Sequence, residues 1–262
     1  MPRIGGTAMP GGVHFSTGNY GTAPPHMLFL TGVAVIALGA GAMVMCYLLL
    51  WLLGALTGLP LGESLMGIAT AEDFPTNFMP VVEIGQNLFI FLCFLVVLRL
   101  SPLSGYHGAE HKVVHCLEQY GRLERALARS SPRAHRRCGT TLLVGIIPLP
   151  LIALPLLVAG LWPAAILIGV LCWVFRVPIG AAIQQVFTTK EPTEHQLTTA
   201  LEAAETLINR WRQNPNRRLP VARSLWVRGF PQMLAGALTT SWFFQWISTQ
   251  LPLWLDWGHV IK

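Results

Sequence analysis

Residues 105–120 read GYHGAEHKVVHCLEQY and hold His107, His111 and His115, three of the chain's eight histidines, at four-residue spacing. On a helix, residues four apart share one face, so the imidazoles stack on one side. His107, Glu110 and His111 form H-x-x-E-H, the inverted form of the zincin signature. Two imidazoles one turn apart can grip one metal ion, Zn²⁺ being the first suspect, and Glu110 stands beside them as a general base. Glu118 extends the same arc. The plainer alternative is a helix whose histidines are only hydrogen-bonded.

A metal needs a third protein ligand, and two segments offer one. In RAHRRCGTT, His135 and Cys138 are spaced to converge on one ion, and Arg133, Arg136 and Arg137 would favour the Cys138 thiolate. The same arginines, with Lys112, can instead fork onto a phosphate or carboxylate. Residue types alone do not separate a ligand set from an anion site. Further on, FTTKEPTEHQLTTALEAAETLINRWRQNP brings Lys190, which suits an anion, and Glu191, Glu194 or His195 as a remote ligand. Acids at a helix start are equally expected from the macrodipole.

The elements that must position these residues follow from composition. The chain has 262 residues, 53% hydrophobic and 11% charged, with mean hydropathy +0.52. Ordinary soluble domains carry roughly 25% charge. A disordered chain, a coiled coil and a soluble enzyme with a normal surface are excluded. The expected fold is an all-α polytopic membrane protein with about four transmembrane helices, plus cytoplasmic helices carrying the polar motifs. Residues 28–57 and 84–100 read as spans. Residues 140–179 are too long for one helix and read as a hairpin joined near Trp162-Pro163. Residues 229–257, with Pro231, Gln232, Gln245, Gln250 and Pro252, can span, re-enter or lie at the interface. The organisation expected is 1–27 Gly/Pro-rich, 28–100 two spans, 101–139 first motif segment, 140–179 hairpin, 180–228 second motif segment and 229–262 apolar tail.

Charge sets orientation. Residues 57–83 have no Lys or Arg and four acids (Glu63, Glu72, Asp73, Glu83), whereas 99–139 and 176–228 hold eight basic residues each. The positive-inside rule places both motif segments in the cytoplasm, with the chain in the inner (plasma) membrane. The net charge of +6 sets this orientation and can also attract anionic lipid, at about 1 kcal/mol per surface basic residue. Of five cysteines, Cys46, Cys93 and Cys172 lie in apolar runs and only Cys116 and Cys138 among polar residues. That odd set fits a reducing compartment rather than a disulfide framework. No cleavable signal peptide is read in the opening residues.

Thr193 and Gln196 form a capping box, and Leu197, Leu201, Ala204, Ile208 and Trp211 make one apolar stripe that ends at Asn214-Pro215. This amphipathic helix, 193–213, packs on the protein, on lipid or on a protein partner.

The three motifs, in order, resemble the YqhQ-like family of membrane proteins of unknown function, and the IGGTAMPGGVHFSTGNYG opening is similar to that family's Gly-rich start. The resemblance covers roughly residues 4–210. It implies predicted metal-dependent enzymes and points to His107, Glu110, His111, Lys112 and Glu118. From the second motif it adds His135, Arg137, Cys138, Gly139 and Thr140, and from the third Thr189, Glu191, Pro192 and Gln196. His115 and Arg136 depart from the pattern. The function expected is a membrane-embedded, metal-dependent hydrolase with an anionic lipid or peptide substrate. The alternative is a non-catalytic assembly or scaffold subunit. Transport ranks last because no charge sits mid-membrane, and no nucleic-acid partner is expected.

Overall fold

The computed structural model describes residues 2–68 and 79–250. A two-stranded hairpin comes first, β1 (Gly5–Met9) antiparallel to β2 (Gly12–Ser16). Pro10-Gly11 makes the connection; Pro presets φ, and Gly11 at φ +83° takes the left-handed position that such a turn requires. The all-α expectation holds for the rest of the described chain, and this hairpin is what the Gly/Pro-rich opening forms. Helix α1 (Pro25–Thr57) starts on Pro25, whose missing N–H is no loss in a first turn, and stops at Gly58, φ +74°. The short α2 (Leu61–Leu65) follows, then α3 (Met79–Leu100).

Pro102 separates α3 from α4 (Leu103–Tyr120), and α5 (Arg125–Ser130) and a loop lead to α6 (Gly139–Ile146). A π-turn at Leu149–Ala153 connects α6 to α7 (Leu154–Val158), as expected where Pro148, Pro150 and Pro155 withdraw amide donors. Gly160, φ +77°, turns the chain into α8 (Trp162–Ile183), two residues before the join predicted at Trp162-Pro163. A second π-turn, Gln184–Thr188, precedes α9 (Glu194–Gln213), α10 (Val221–Val227) and α11 (Phe230–Gln250).

Four helical stretches are long and apolar enough to cross a membrane: Pro25–Thr57, Val81–Leu100, Gly139–Val158 and Trp162–Thr188. Leu, Val and Trp side chains such as Val44, Trp51 and Val174 stay outward-facing along them, which suits lipid rather than water. The chain is a polytopic helical membrane protein. Helix α11 runs beside α1 in the same direction, from Leu28 against Gly229 to the crossing of Gly32 with Gly236, where a Cβ on either glycine would strike the facing backbone. Of the three fates the sequence allows for 229–257, the described part is one unbroken helix of 21 residues, about 31 Å long. Pro231 causes no break because it sits at the helix start. Pro252 and Asp256 lie outside the described residues, as do Glu72 and Asp73 of the acidic loop.

The hairpin, α4, α5 and α9 gather at one end of this bundle, opposite Glu63 and Glu83. Their core joins Val13 and Phe15 of β2 to Tyr106, Val113 and Leu117 of α4 and to Leu197, Leu201 and Leu207 of α9. The capping box is present in both directions: the Gln196 amide donates to Thr193 Oγ1 (3.3 Å) and the Thr193 amide to Gln196 Oε1 (3.0 Å). Leu197, Leu201, Ala204 and Ile208 of the stripe on α9 are buried against α4 and β2, and Trp211 at its end is half-buried.

Candidate functional site

Helix α4 is held against the residues before α9 by close backbone contact. The Lys190 amide donates to Ser104 O (2.8 Å), and Gln196 Nε2 donates to Pro102 O (3.2 Å). Gly108 lets the Lys190 carbonyl lie on the helix, a place no Cβ fits. The third motif therefore acts as a strap that fixes the first.

His107, His111 and Cys138 converge: each offers a ligand atom, all within 4.8 Å of one another. His107 Nδ1 lies 2.9 Å from Thr188 O, and His111 Nδ1 bonds Arg133 O. A carbonyl only accepts, so each Nδ1 carries the proton and each Nε2 keeps its lone pair. His107 Nε2 faces Cys138 Sγ at 3.3 Å. Metal-ligating histidines are oriented in this way by a second hydrogen bond. Burial, then the neighbouring His107, pushes His111 down to about 2, so it stays neutral. Cys138 caps α6, accepting from the Thr140 amide at 3.4 Å. Burial pushes its thiol up, and the arginines expected to favour its thiolate point elsewhere. Arg133 reaches Thr189 O and Glu191, Arg137 pairs with Glu118, and Arg136 is exposed.

Glu110 is buried beside the cluster under β1. A Cβ on Gly6 would lie 2.5 Å from its Cγ, so only glycine permits this approach. Burial raises its carboxyl to about 7; the nearby Cys138 adds to the rise, while His107 and a hydrogen bond from the Ala8 backbone oppose it.

The other predicted residues lie nearby in different bonds. His135 is buried, but its Nε2 is on Glu118 (3.2 Å) and its Nδ1 accepts from the Arg137 amide (3.2 Å), which leaves no free lone pair for an ion. His115 Nε2 donates to Ala134 O (2.9 Å). Glu191 is exposed and ion-paired to Lys112 Nζ (2.9 Å). Lys112 is buried and spends its other donors on Arg129 O (2.5 Å) and Ser131 O (3.0 Å), so it ties α4 to the chain after α5 rather than facing an anion. Lys190 contributes its backbone. Of the predicted anion residues, only Arg137 lines the cavity of about 850 Å³ that adjoins His107, Glu110 and Cys138. Burial and nearby Arg3 hold Arg137 below its usual value.

Sequence reasoning missed Arg3 of the N-terminal arm, Gly6 and Ala8 of the hairpin, Arg228, and the carbonyls of Arg133 and Thr188. The Pro10-Gly11 dipeptide signals the hairpin; the carbonyls leave no trace in residue type.

A helical membrane protein with a His/His/Cys cluster at one end is thus the class defined by fold and site. The chain belongs to the family described as "Protein of unknown function (DUF1385)", whose model matches residues 22–178. That span carries the first two motifs and leaves the hairpin outside. The chain is similar to the uncharacterized protein YqhQ of Bacillus subtilis (strain 168), 29% identical over 153 residues, a match spanning 48% of this chain and 48% of that one. The match thus spans about half the length of that curated relative. No solved structure matches.

Proposed function

We propose that the protein is a membrane-embedded, metal-dependent hydrolase. The observation that carries this reading is the convergence of His107, His111 and Cys138, with both Nδ1 protons tied to the Thr188 and Arg133 carbonyls and His107 Nε2 facing Cys138 Sγ. Two imidazoles and a thiol suit a zinc-class ion, whose donors stand about 3.3–3.8 Å apart in a tetrahedral shell, within a small side-chain adjustment of the spread seen here. Three protein ligands beside a cavity match catalytic rather than closed structural sites. An ion held by His107, His111 and Cys138 would supply Lewis acidity and would bring the pKa of water toward 7. Glu110, buried and titrating near neutrality, takes and returns the proton. Arg137, with the hairpin above, orients an anionic group and limits water.

In this reading the hairpin (within 1–27) and the motif segments 101–139 and 180–228 act as one unit. The basic residues of both segments favour a cytoplasmic side for that unit. A reagent that cannot cross the membrane should fail to label a cysteine placed at Arg136 from outside.

Metal analysis tests the main claim. The wild type is expected to carry one ion per chain, lost in His111→Ala and Cys138→Ser. Negligible metal in all three ends it. The second reading, a structural or scaffold cluster, draws on β1 lying directly over Glu110. Glu110→Gln with full metal and full function in cells would favour it.

A further inference from the structure

The lining of the cavity beside the cluster has two chemically different parts. Arg3, Arg137 and Arg228 reach it from the N-terminal arm, the loop before α6 and the residues just after α10. Among the described residues, Arg137 pairs with Glu118, and neither Arg3 nor Arg228 has a carboxylate partner. Glu110 is the one acid in the lining. With Arg137 shared with Glu118, Arg3 and Arg228 still leave the lining net basic beside one buried carboxyl, the character that suits an anion.

The apolar part of the lining includes Val35 of α1, Leu98 of α3 and Leu143 of α6, all on membrane-crossing helices. Helices α1 and α6 both flank the cavity, yet they form no packed interface with each other. Val35 and Leu143 remain 46% and 50% exposed. The apolar part of the lining therefore sits at a gap between two membrane-crossing helices.

We infer that the cavity binds an anionic membrane amphiphile, with its phosphate or carboxylate head on Arg3, Arg137 and Arg228 and its hydrocarbon chain leaving between α1 and α6. This rests on the hydrolase reading only for what happens next to the head group, beside Glu110; binding itself needs no metal. A soluble anion would use the arginines and gain nothing from Val35 and Leu143. An amphiphile uses both parts, and each basic contact with an anionic head group adds to its retention.

The test uses the full chain in phosphatidylcholine nanodiscs doped with phosphatidic acid, followed by purification and mass-spectrometric counting of co-purified lipid. Wild type should hold phosphatidic acid at least tenfold above its bulk share, since each guanidinium contact alone is worth about fivefold. The triple variant Arg3→Gln/Arg137→Gln/Arg228→Gln should fall to the bulk share. Val35→Trp, which blocks the apolar part and leaves every charge in place, should also lower retention and guards against a misfolded triple variant. Arg136→Gln, outside the cavity, should match wild type. Excess inorganic phosphate should leave the lipid in place. No enrichment in wild type, retention by both the triple variant and Val35→Trp, or displacement by inorganic phosphate or a soluble acidic peptide would overturn the inference. Metal content of the same samples separates the two claims. Metal without lipid enrichment sinks only this inference, and lipid enrichment without metal sinks only the hydrolase reading.

Discussion

Two histidine clusters share helix α4 and differ in what their nitrogens face. His107 and His111 give their Nδ1 protons to backbone carbonyls, His107 Nε2 faces Cys138 Sγ, and His111 offers a ligand atom within 4.8 Å of both. One turn further on, His115 donates Nε2 to Ala134, and His135 sits between Glu118 and the Arg137 amide. The imidazoles of His111 and His135 are only 5.8 Å apart, so distance does not separate the clusters. The difference lies in which groups from elsewhere in the chain consume the lone pairs. The first cluster keeps the converging ligand atoms that an ion would need, and the second is a closed network of hydrogen bonds and charge pairs.

The largest expected effect tests that contrast directly. His111→Ala and Cys138→Ser should each weaken metal binding by about a hundredfold or more, while His115→Ala and His135→Ala stay within about tenfold, as expected for neighbours of a ligand rather than ligands. Equilibrium dialysis against a chelator-buffered ion measures both.

The pH dependence of the metal-free protein sharpens it. His111 is held far below its unfolded value, so its neutral form contributes stability that is complete above pH 6.5 and lost as pH falls, about 2 kcal/mol by pH 5. Glu110 runs the other way. Raised to about 7, its protonated form contributes stability that is complete below its unfolded value of 4.5 and lost as pH rises toward 7, about 3 kcal/mol in all. The two slopes oppose in wild type. Thermal melts should show Glu110→Gln losing stability in acid and His111→Gln losing it on the neutral side. Parallel profiles for the two variants would contradict the burial assigned to either group.

Gly6→Ala should cost about 1–3 kcal/mol, because its Cβ must displace the Glu110 side chain or lift the hairpin. It should also change Glu110 titration without removing metal. The smallest effect belongs to Glu191→Gln. Its carboxylate is exposed, and an exposed partner contributes about 0–1 kcal/mol. Metal content should not change, which distinguishes an ion-pair partner from a remote ligand.

Much of this architecture is legible in the sequence because apolar length, Pro and Gly speak locally. The four spans, the turn before Trp162 and the Thr193 capping box all follow from nearest-neighbour chemistry. The H-x-x-E-H spacing likewise places His107, Glu110 and His111 on one face. Which donor joins His107 and His111 in the cluster is not legible. Cys138, His135 and Glu191 are all plausible donors by type; burial, Glu118 and Lys112 decide among them, and those contacts cross 17 to 79 positions of chain. The hairpin is hidden for another reason: Gly-rich strands lack the β-branched alternation that marks a strand, and β2 is buried only because α4 and α9 cover it.

X-ray absorption at the edge of the bound metal tests the central claim most directly. The account predicts one sulfur at about 2.3 Å and two imidazole nitrogens at about 2.0–2.1 Å, with the sulfur shell absent in Cys138→Ser. A shell of nitrogen and oxygen alone in the wild type, or no bound metal at all, would contradict it.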